Sequence, residues 1–429
     1  MNSALCNRCG TCVGLSDGKI IFKDKEGDYR PLIVDNINDQ LAERLWKGCA
    51  GKYFDFNKYN DIFYSDSVHF HNYLGSYQKI YIGNATDQKI RLNSASGGIL
   101  SAILIYLLDK GEIDGAVTLR MNRQTPWLSE PFIATTREGI LEAAQSKYTI
   151  SSVNEILSVT ASFNGILAYV GLPGQVQSIR KLQDIDDPSV NNIKYIFGPY
   201  YGNTLHFSSV ISFLKSYGIK DYKQISKLYF RHGEWPGNMR VELDTGRIIE
   251  LKKFHANYLI PFHILRNSLY CTDLSNEFTD LSGGDAWAPV YEEKGKGFSI
   301  FISRTKQGQD IVTRMIDDGW IDAKEIREEE SIIMHSHGFD FKKRGAFIRI
   351  KFRKWIGRSI PDYGYKISGF PLSRYLMEVV ISSMFILFNT GFARWVVEKF
   401  PPSFVGKVFM KARYTWKKTT KKTKLKYLV

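Results

Sequence analysis

The sequence predicts a mixed α/β (α+β) fold in three parts, on three observations. First, four of the five cysteines lie in a small N-terminal module, residues 1–56. Second, short apolar runs typical of strands alternate with longer helical runs in a central domain at 75–338, which is the pattern of a mixed sheet covered by helices. Third, Lys, Arg and large aromatic residues recur at roughly helical spacing in a tail at 340–429.

The composition is that of a globular protein: of 429 residues, 44% are hydrophobic and 24% charged. Five cysteines are too few for a disulfide scaffold, and the N-terminus lacks the basic and apolar stretches of a secretory signal, so we expect a cytoplasmic protein. No apolar run reaches the roughly 18 residues of a spanning helix. A membrane-spanning role is therefore not expected.

Individual elements of the central domain follow from the hydrophobic pattern, and the domain divides into halves at about 75–190 and 191–338. The predicted strands are the apolar runs at 80–83, 115–119, 166–171 and 195–198. The predicted helices are the longer runs at 98–108, 175–182 and 208–217.

The N-terminal module begins with three closely spaced thiols, Cys6, Cys9 and Cys12, in CNRCGTC. Three thiolates within seven residues, with Gly10 allowing a sharp turn, can occupy three corners of a [4Fe–4S] cluster. Zinc sites more often combine two separate CxxC pairs, so the spacing favours iron. Ser16 stands where the run of bacterial ferredoxins has its fourth cysteine.

Cys49 is the predicted fourth ligand. In two-cluster ferredoxins the fourth cysteine of the first run binds the other cluster, and the last cysteine of the second run completes the first cluster. Cys49 lies where such a second run would end, and the three preceding ligand positions hold Leu45, Ala42 and Asp39. The module is therefore predicted to be ferredoxin-like and to hold one [4Fe–4S] cluster. A four-cysteine zinc site and a module without metal are the alternatives.

A second candidate site is the turn SASGG, residues 94–98, between a strand-like run and an apolar helix. Ser94, Ser96, Gly97 and Gly98 would expose backbone N–H groups at a helix N-terminus, where a phosphate can bind. A serine cap beside closely packed glycines is the alternative explanation.

Seven stretches in order resemble one family. They are CNRCGTC, SASGGILSAILIYLLDKGEIDGAV, QSKYT, YVGLPGQVQSIRKL, FGPYYGNT, RHGEWPGNMRV and LYCTDLSNEFTDLSGGDAW. Their order and spacing over residues 6 to about 290 are similar to the beta-subunit family of coenzyme F-420 hydrogenases and dehydrogenases. YRPLI, CAGKYFDF and a basic tail containing PDYGY resemble the subfamily associated with polysaccharide biosynthesis.

The resemblance implies an iron–sulfur flavoprotein in which FAD mediates between the cluster and a second redox partner. That partner is a deazaflavin in archaeal members and another organic substrate elsewhere. Because a cluster passes one electron and hydride chemistry moves two, a flavin is the natural converter between them.

Departures from the family pattern limit this inference. Many relatives carry further cysteines where this chain has Gly174 and Ser268, which leaves Cys271 without a companion. A lone thiol is usually a small buried hydrophobic residue, so a second cluster is not expected.

The resemblance also suggests which residues contact the flavin. Lys147, in QSKYT, would place a cation near the flavin pyrimidine edge, or be an ordinary solvated lysine. Two further turns are candidates for ligand contact, or are ordinary tight turns: Pro173, Gly174 and Gln175, and Gly283, Gly284 and Asp285. His232 is a candidate proton donor because its ordinary pKa is near neutrality, although a lone histidine is more often structural.

Residues 341–429 of the tail hold 21 Lys and Arg residues against three acids, Asp362, Glu378 and Glu398. Its first segment predicts a cationic face beside an apolar one, and the predicted cations are Lys342, Lys343, Arg344, Arg349, Lys351, Arg353, Lys354 and Arg358. Farther on, a second segment precedes the lysine-dense run KKTTKKTKLKYLV and carries the aromatics Phe385, Phe388, Phe392, Trp395 and Phe400. Basic amphipathic segments with aromatics suit an anionic membrane surface or docking onto polysaccharide-assembly proteins. Plain solvated helices are the alternative, and nucleic acid is not expected because no nucleic-acid-binding fold is recognised.

Together these observations predict a cytoplasmic iron–sulfur flavoenzyme, peripheral at the inner face of the membrane, that acts on an organic substrate in polysaccharide biosynthesis. The electron donor would be a ferredoxin or a reduced deazaflavin. The alternative is a non-catalytic accessory protein of a membrane-associated polysaccharide assembly, which keeps the fold and docks through its tail.

Overall fold

The computed structural model describes residues 5–288 and 297–426, with side chains described as far as residue 415. The first four residues of the predicted cysteine module and the last three of the predicted tail lie outside the described residues.

Strands and helices alternate along the central domain. The strands are β1 (Ile20–Phe22), β2 (Pro31–Ile33), β3 (His69–His71), β4 (Gly75–Tyr77), β5 (Lys79–Ala85), β6 (Gly115–Met121), β7 (Ser129–Ala134), β8 (Leu167–Val170), β9 (Ile193–Pro199), β10 (Ile225–His232), β11 (Asn238–Leu243), β12 (Ile248–Lys252), β13 (Leu281–Asp285), β14 (Ser299–Ser303) and β15 (Ile321–Glu325). Eight of them form one mixed sheet in the order β15-β5-β14-β13-β9-β8-β6-β7, and β10, β11 and β12 form a separate antiparallel sheet. The mixed α/β fold class is thus confirmed.

The helices cover both faces of the sheet and build the two ends of the chain. They are α1 (Thr11–Gly14), α2 (Asp39–Gly48), α3 (Phe56–Phe63), α4 (Gln88–Leu92), α5 (Ile99–Asp109), α6 (Arg137–Ala143), α7 (Leu157–Ser162), α8 (Pro173–Gln183), α9 (Ser208–Lys215), α10 (Lys253–Ala256), α11 (Ile260–His263), α12 (Lys306–Asp317), α13 (Glu328–Met334), α14 (Ser336–Phe339), α15 (Ala346–Trp355), α16 (Leu372–Phe388), α17 (Gly391–Val397) and α18 (Pro402–Lys426). The predicted strands correspond to β5, β6, β8 and β9, and the predicted helices to α5, α8 and α9.

Five strands of the large sheet point in one direction. β6, β8, β9 and β13 are parallel neighbours, and β14 runs antiparallel to both β13 and β5, so β5 points the same way as β13. Their carboxyl ends therefore meet at one edge of the sheet. The turn at 94–98, the end of β13 and the turn before α8 all follow these carboxyl ends, where ligands of open α/β sheets commonly bind.

Successive residues of the central strands enter different cores. Ala116, Ala168 and Phe197 pack with α5 and α12, whereas Val117 and Tyr169 pack on the opposite face with α8. This explains why the strands read as continuous apolar runs. The second core also includes residues of the N-terminal module, which therefore packs on the α8 side of the sheet.

The predicted cationic face of the tail is partly wrong. Lys342, Lys343, Arg344 and Arg349 are each at most 4% exposed. The reason is that acidic side chains of the protein interior pair with several of these cations, so half of the expected surface charge is buried.

Candidate functional site

The cysteine loop is docked against the central domain by tight backbone packing. Gly10 has a φ of +95°, and a Cβ atom at this position would lie 2.7 Å from the backbone nitrogen of Glu155. The Asn154 amide donates to Thr11 Oγ1 at 2.9 Å, and Ser152 Oγ donates to the Arg8 carbonyl at 2.7 Å. The loop thus needs glycine where it turns, and its position is fixed by the central domain.

Cys49 reaches the same region from the end of α2. It is the C-cap residue of this helix, and the Lys181 ammonium of α8 donates to its carbonyl at 2.8 Å. Arg44 of α2 makes two hydrogen bonds to Asp187, at 2.7 and 2.8 Å, which hold the helix against the body.

The four predicted ligands form one electrostatically interacting group. Burial, together with the proximity of Cys49 and Cys6, raises the pKa of Cys9 to about 11. Burial and the neighbouring Cys9, Cys6 and Cys49 also raise the pKa of Cys12. Desolvation of the thiol and the nearby Cys6 raise the pKa of Cys49, although the residue as a whole is exposed. Two chain segments therefore bring their thiols together.

The donor set is compatible with a cluster. Within the described ranges, no three Cys, His, Asp or Glu side chains are close enough to hold a single metal ion. A cubane binds each thiolate at a different iron atom, so its ligand sulfurs are farther apart than those around one zinc ion. Gly51 allows the chain to pass close to the thiol group. A Cβ atom there would lie 3.5 Å from the Cys49 sulfur and 2.9 Å from the Leu5 carbonyl oxygen.

Ser16 does not face this group. Its hydroxyl donates to the Val13 carbonyl and accepts from the Ile20 backbone nitrogen at 3.0 Å, so it closes the turn between α1 and β1. The residue in place of the ferredoxin cysteine therefore has a structural role.

The turn Pro173–Gly174–Gln175 lies beside the cysteine loop. A Cβ atom at Gly174 would lie 2.3 Å from the Asn7 amide nitrogen, and Ser178, one turn later, contacts Cys9 Sγ at 3.7 Å. Gln175 caps its own helix and donates to the Ser151 carbonyl. Gly174 thus allows the cysteine loop to approach α8, and Ser178 contacts one of its thiols.

Gly174 and Cys271 line one pocket. Its other lining residues are Asn7, Ala50, Leu172, Gln175, Gln177, Tyr201, Thr204, Asn267 and Tyr363. Cys271 is buried, and its thiol donates to the Asp273 carbonyl at 3.5 Å.

The turn at 94–98 is built around hydrogen bonds to β14 and to the preceding helix α4. Ser94 Oγ donates to the Ile90 carbonyl, whereas Ser96 Oγ and the Gly97 backbone nitrogen contact Ser299 Oγ at 2.7 and 2.9 Å. Gly98 is the N-cap of α5, with a φ of +83°.

Gly97 has a packing role of its own. A Cβ atom there would lie 2.5 Å from the Gly83 carbonyl oxygen of β5. Close glycine packing, one part of the structural explanation of this turn, is therefore present at Gly97. The serine cap is not, because the N-cap of α5 is Gly98 without a side-chain cap hydrogen bond, and Ser94 Oγ donates to α4.

Asp285, at the end of β13, faces Ser299 across the antiparallel pair. Both of its carboxylate oxygens accept from Arg231, at 2.9 and 3.0 Å, and Trp235 Nε1 donates to one of them. Burial raises the pKa of Asp285, but Arg231 and Lys253 lower it by more, to about 2. The carboxylate is thus ionised and already paired.

The adjacent glycines of β13 differ in their surroundings. A Cβ atom at Gly284 would lie 2.8 Å from the Tyr200 ring, so this glycine makes room for a protein side chain. At Gly283 the nearest atom would be 3.6 Å away, which is ordinary contact.

Lys253 and Tyr148 also contribute to this region, although neither is predicted as a site residue from the sequence. The Lys253 ammonium lies 5.2 Å from the Trp287 ring centre and 5.7 Å from that of Tyr148. Burial raises the pKa of Tyr148, but Lys253 and Arg231 lower it by more. The region therefore has an excess of positive charge, which fits an anionic group. Lys253 follows directly on β12, and no motif marks it.

Lys147 and His232 are placed differently from each other. Lys147 Nζ donates to the carbonyls of Ala143 and Ala144, at 2.6 and 2.9 Å, so it caps the C-terminus of α6. Burial lowers its pKa to about 7. His232 faces outward, with Nδ1 3.7 Å from Glu250, and is not brought to the Asp285 region.

Family models match most of the central domain. Residues 80–158 match the N-terminal model, and residues 165–329 the C-terminal model, of the coenzyme F420 hydrogenase/dehydrogenase beta subunit. The chain is 28% identical over 264 residues to a coenzyme F420 hydrogenase subunit beta of Methanosarcina barkeri, covering 60% of this chain and 84% of that one.

A second relative extends over more of this chain. A coenzyme F420-dependent sulfite reductase of Methanocaldococcus jannaschii is 26% identical over 325 residues, covering 72% of this chain and 46% of the reductase. The fold is also similar to a chain of the F420-reducing [NiFe] hydrogenase complex from Methanosarcina barkeri, with a TM-score of 0.54 and 23% identity. That match covers 68% of this chain and 98% of the other.

Proposed function

Because the chain belongs to the coenzyme F420 hydrogenase/dehydrogenase beta-subunit family, we propose that it is an oxidoreductase that passes electrons through an iron–sulfur cluster and FAD. Relatives named as hydrogenase and sulfite reductase proteins support the redox role. The observation that carries the cluster is the convergence of four thiols from two separate segments.

In this proposal Cys6, Cys9, Cys12 and Cys49 are the ligands of one [4Fe–4S] cluster. A thiolate-bound cluster is negatively charged, and Lys181 lies close enough to Cys49 to lower the thiol pKa, against the larger effect of burial. The neutral hydroxyls of Thr11 and Ser178, at 3.2 and 3.7 Å from Cys9 Sγ, would donate hydrogen bonds to that sulfur.

FAD would bind at the carboxyl edge of the sheet, with its phosphates toward the backbone of Gly97 and Gly98 and the positive charge around Lys253. When bound, FAD exchanges single electrons with a cluster and a hydride with an organic substrate. The Arg231–Asp285 pair would hold the end of β13 in place. Lys147, fixed on the C-terminus of α6, would be a positioning residue.

We further propose an organic substrate from polysaccharide biosynthesis and a ferredoxin or reduced deazaflavin as donor. The support is the resemblance of YRPLI, CAGKYFDF and PDYGY to the subfamily found among polysaccharide-biosynthesis genes. Relatives that are subunits of redox complexes support a protein partner.

Anaerobic purification followed by iron, sulfide and flavin analysis tests the proposal. We expect about four irons and one FAD per chain, and visible absorption that is bleached by dithionite. Cys49→Ser should lose the cluster absorption, whereas Cys271→Ser, the matched control at a buried thiol outside the group, should keep it.

The alternatives give different results. Iron without flavin, and no redox activity, would support the accessory protein. Zinc in place of iron would contradict the cluster. Equal iron content in the Cys49→Ser and wild-type proteins would contradict the ligand assignment.

A further inference from the structure

Helix α16 is oriented with its charges inward and its apolar residues outward. Its only two charged residues, Arg374 and Glu378, are 2% and 0% exposed. By contrast, Leu376, Val380 and Ile386 are 61%, 69% and 71% exposed. A surface helix of a soluble protein has the opposite arrangement.

A buried ion-pair network fixes this orientation. Arg374 pairs with Asp340 at 3.0 Å and with Glu378 at 2.7 Å, and Glu378 also accepts from Arg349 at 2.6 Å. Farther along the helix, Phe385 packs into the core around the three-stranded sheet. The helix is thus held at both ends, and its outward face cannot rotate inward without breaking these pairs.

The following helices extend the apolar surface. The large exposed side chains of α16 to α18 are Leu372, Leu376, Val379, Val380, Ile386, Leu387, Phe388, Phe392, Trp395, Phe400, Phe404, Val408 and Tyr414. We call this set the apolar tail face. Many large exposed apolar side chains on successive helices mark a contact with a partner or a membrane.

The charge around the apolar tail face is of one sign. Glu378 is buried, and Glu398 is partly buried, with its carboxylate accepting from Ser212. Lys399, Lys407 and Lys411 are exposed, and from residue 411 to 426 the sequence adds further Lys and Arg with no acid. The two acids are thus turned toward the body, whereas these three lysines are exposed to solvent.

We infer that the apolar tail face of α16–α18 inserts into the interface of an anionic lipid bilayer, with Lys399, Lys407 and Lys411 at the headgroups. Apolar and aromatic groups beside lysines, without exposed acids, are complementary to such a surface. Of the predicted tail surface, the segment at 342–358 has four of its eight cations buried, and Phe385 is also buried. Phe388, Phe392, Trp395 and Phe400 are exposed.

The geometry favours contact with one leaflet. In the part of the chain that the structure describes, no single helix is long and apolar enough to cross a membrane. The pair Leu372–Phe388 and Gly391–Val397 passes by composition but is bent by 80°. The 17 residues of α16 span about 25 Å, less than the roughly 30 Å of a hydrocarbon core.

Flotation of the full chain with lipid vesicles tests the inference. We expect binding to vesicles of phosphatidylcholine with 30% phosphatidylglycerol, at least about tenfold weaker binding to phosphatidylcholine alone, and weaker binding at high salt. Lys407→Gln with Lys411→Gln should weaken binding roughly thirtyfold, since each basic residue contributes about a fivefold effect.

The apolar contribution is tested on the exposed side of α16. Leu376→Glu with Val380→Glu should weaken vesicle binding by more than roughly 100-fold. Val159→Glu, at an exposed apolar position of α7 in the body, is the matched control and should bind as the wild type does. Circular dichroism of each variant checks that it is folded.

A second measurement follows the fluorescence of a tryptophan in the apolar tail face. Brominated lipids should quench the fluorescence of Trp395, which is 57% exposed, and Trp395→Phe should remove most of that quenching. Absence of binding to every vesicle, or unchanged binding of the α16 variant, would overturn the inference. Concentration-dependent self-association without lipid, abolished by the α16 variant, would overturn it in favour of a second copy of the chain.

Discussion

The cysteine loop and the C-terminal tail dock on the central domain by different chemistry. The N-terminal cysteine loop is fixed by neutral hydrogen bonds from Asn7, Ser152 and Asn154. The tail is fixed by buried ion pairs, such as Arg374 with Asp340. Neutral anchors leave the thiols as the chemically distinctive feature of the cysteine loop, whereas charged anchors remove charge from the surface of the tail.

This difference shows why cysteine spacing in a sequence is a better guide to function than a count of lysines and arginines. A run of thiols must keep its spacing to bind one cofactor, so a ligand role can be predicted from the sequence. A run of lysines and arginines has no such constraint, and burial of a charge depends on acids elsewhere in the chain. Lys343, for example, pairs with Glu277, which precedes it by 66 residues.

The largest expected effect is at the charged end. Glu378→Gln would remove the carboxylate that Arg349 and Arg374 share, so that Arg374 keeps its pair with Asp340 and Arg349 loses its pair; breaking a buried pair costs about 3–5 kcal/mol. We expect the free energy of unfolding to fall by about 3 kcal/mol in urea titrations, with faster hydrogen exchange in α16.

The matched control is Glu43→Gln, which removes an exposed pair with Lys47. It should change the free energy of unfolding by less than about 0.5 kcal/mol. An equally small effect of Glu378→Gln would show that the tail does not depend on its ion pairs.

The second effect concerns His206, a partly buried histidine near charged residues of both ends. Burial and the nearby Arg8 lower the pKa of His206 to about 4. Arg394 of the tail has the same effect. Because the unfolded chain binds a proton near pH 6.5 and the folded chain does not, stability is full above that pH and is lost as the pH falls toward 4.

This loss is up to about 3 kcal/mol. We expect His206→Gln to remove that part of the pH dependence, measured as the difference in unfolding free energy between pH 7 and pH 4.5. Parallel pH profiles of the wild-type and variant proteins would contradict the assignment.

The third effect tests the neutral end. Asn154→Ala removes donors to Thr11 Oγ1 and the Gln175 carbonyl and the acceptor of the Tyr169 hydroxyl. Leaving these buried groups unpaired should cost about 1–3 kcal/mol. Asn57→Ala, at an exposed asparagine, should cost less than about 0.5 kcal/mol by the same urea titration. A cost above that of Glu378→Gln would reverse the comparison.

Much of the fold was predictable, because the strands of the central sheet are apolar on both faces and its helices are long and periodic. The thiol group was predictable from cysteine spacing, although its ligand role stays a prediction. The Asp285 region was predictable only in part. Asp285 and Trp287 belong to a motif that the sequence shows. Lys253 and Ser299 come from other elements, and only the fold brings these two residues close to the motif.

The smallest expected effect links the anchoring of α2 to Cys49. Arg44→Lys would replace two hydrogen bonds to Asp187 by one point contact and cost about 1 kcal/mol. Because α2 ends at Cys49, we expect severalfold faster alkylation of the Cys49 thiol in the metal-free protein. Arg30→Lys, in an exposed pair with Asp28, is the control and should leave the alkylation rate unchanged. Equal rates in both variants would show that Cys49 is positioned by its own loop and by Lys181 rather than by the helix before it.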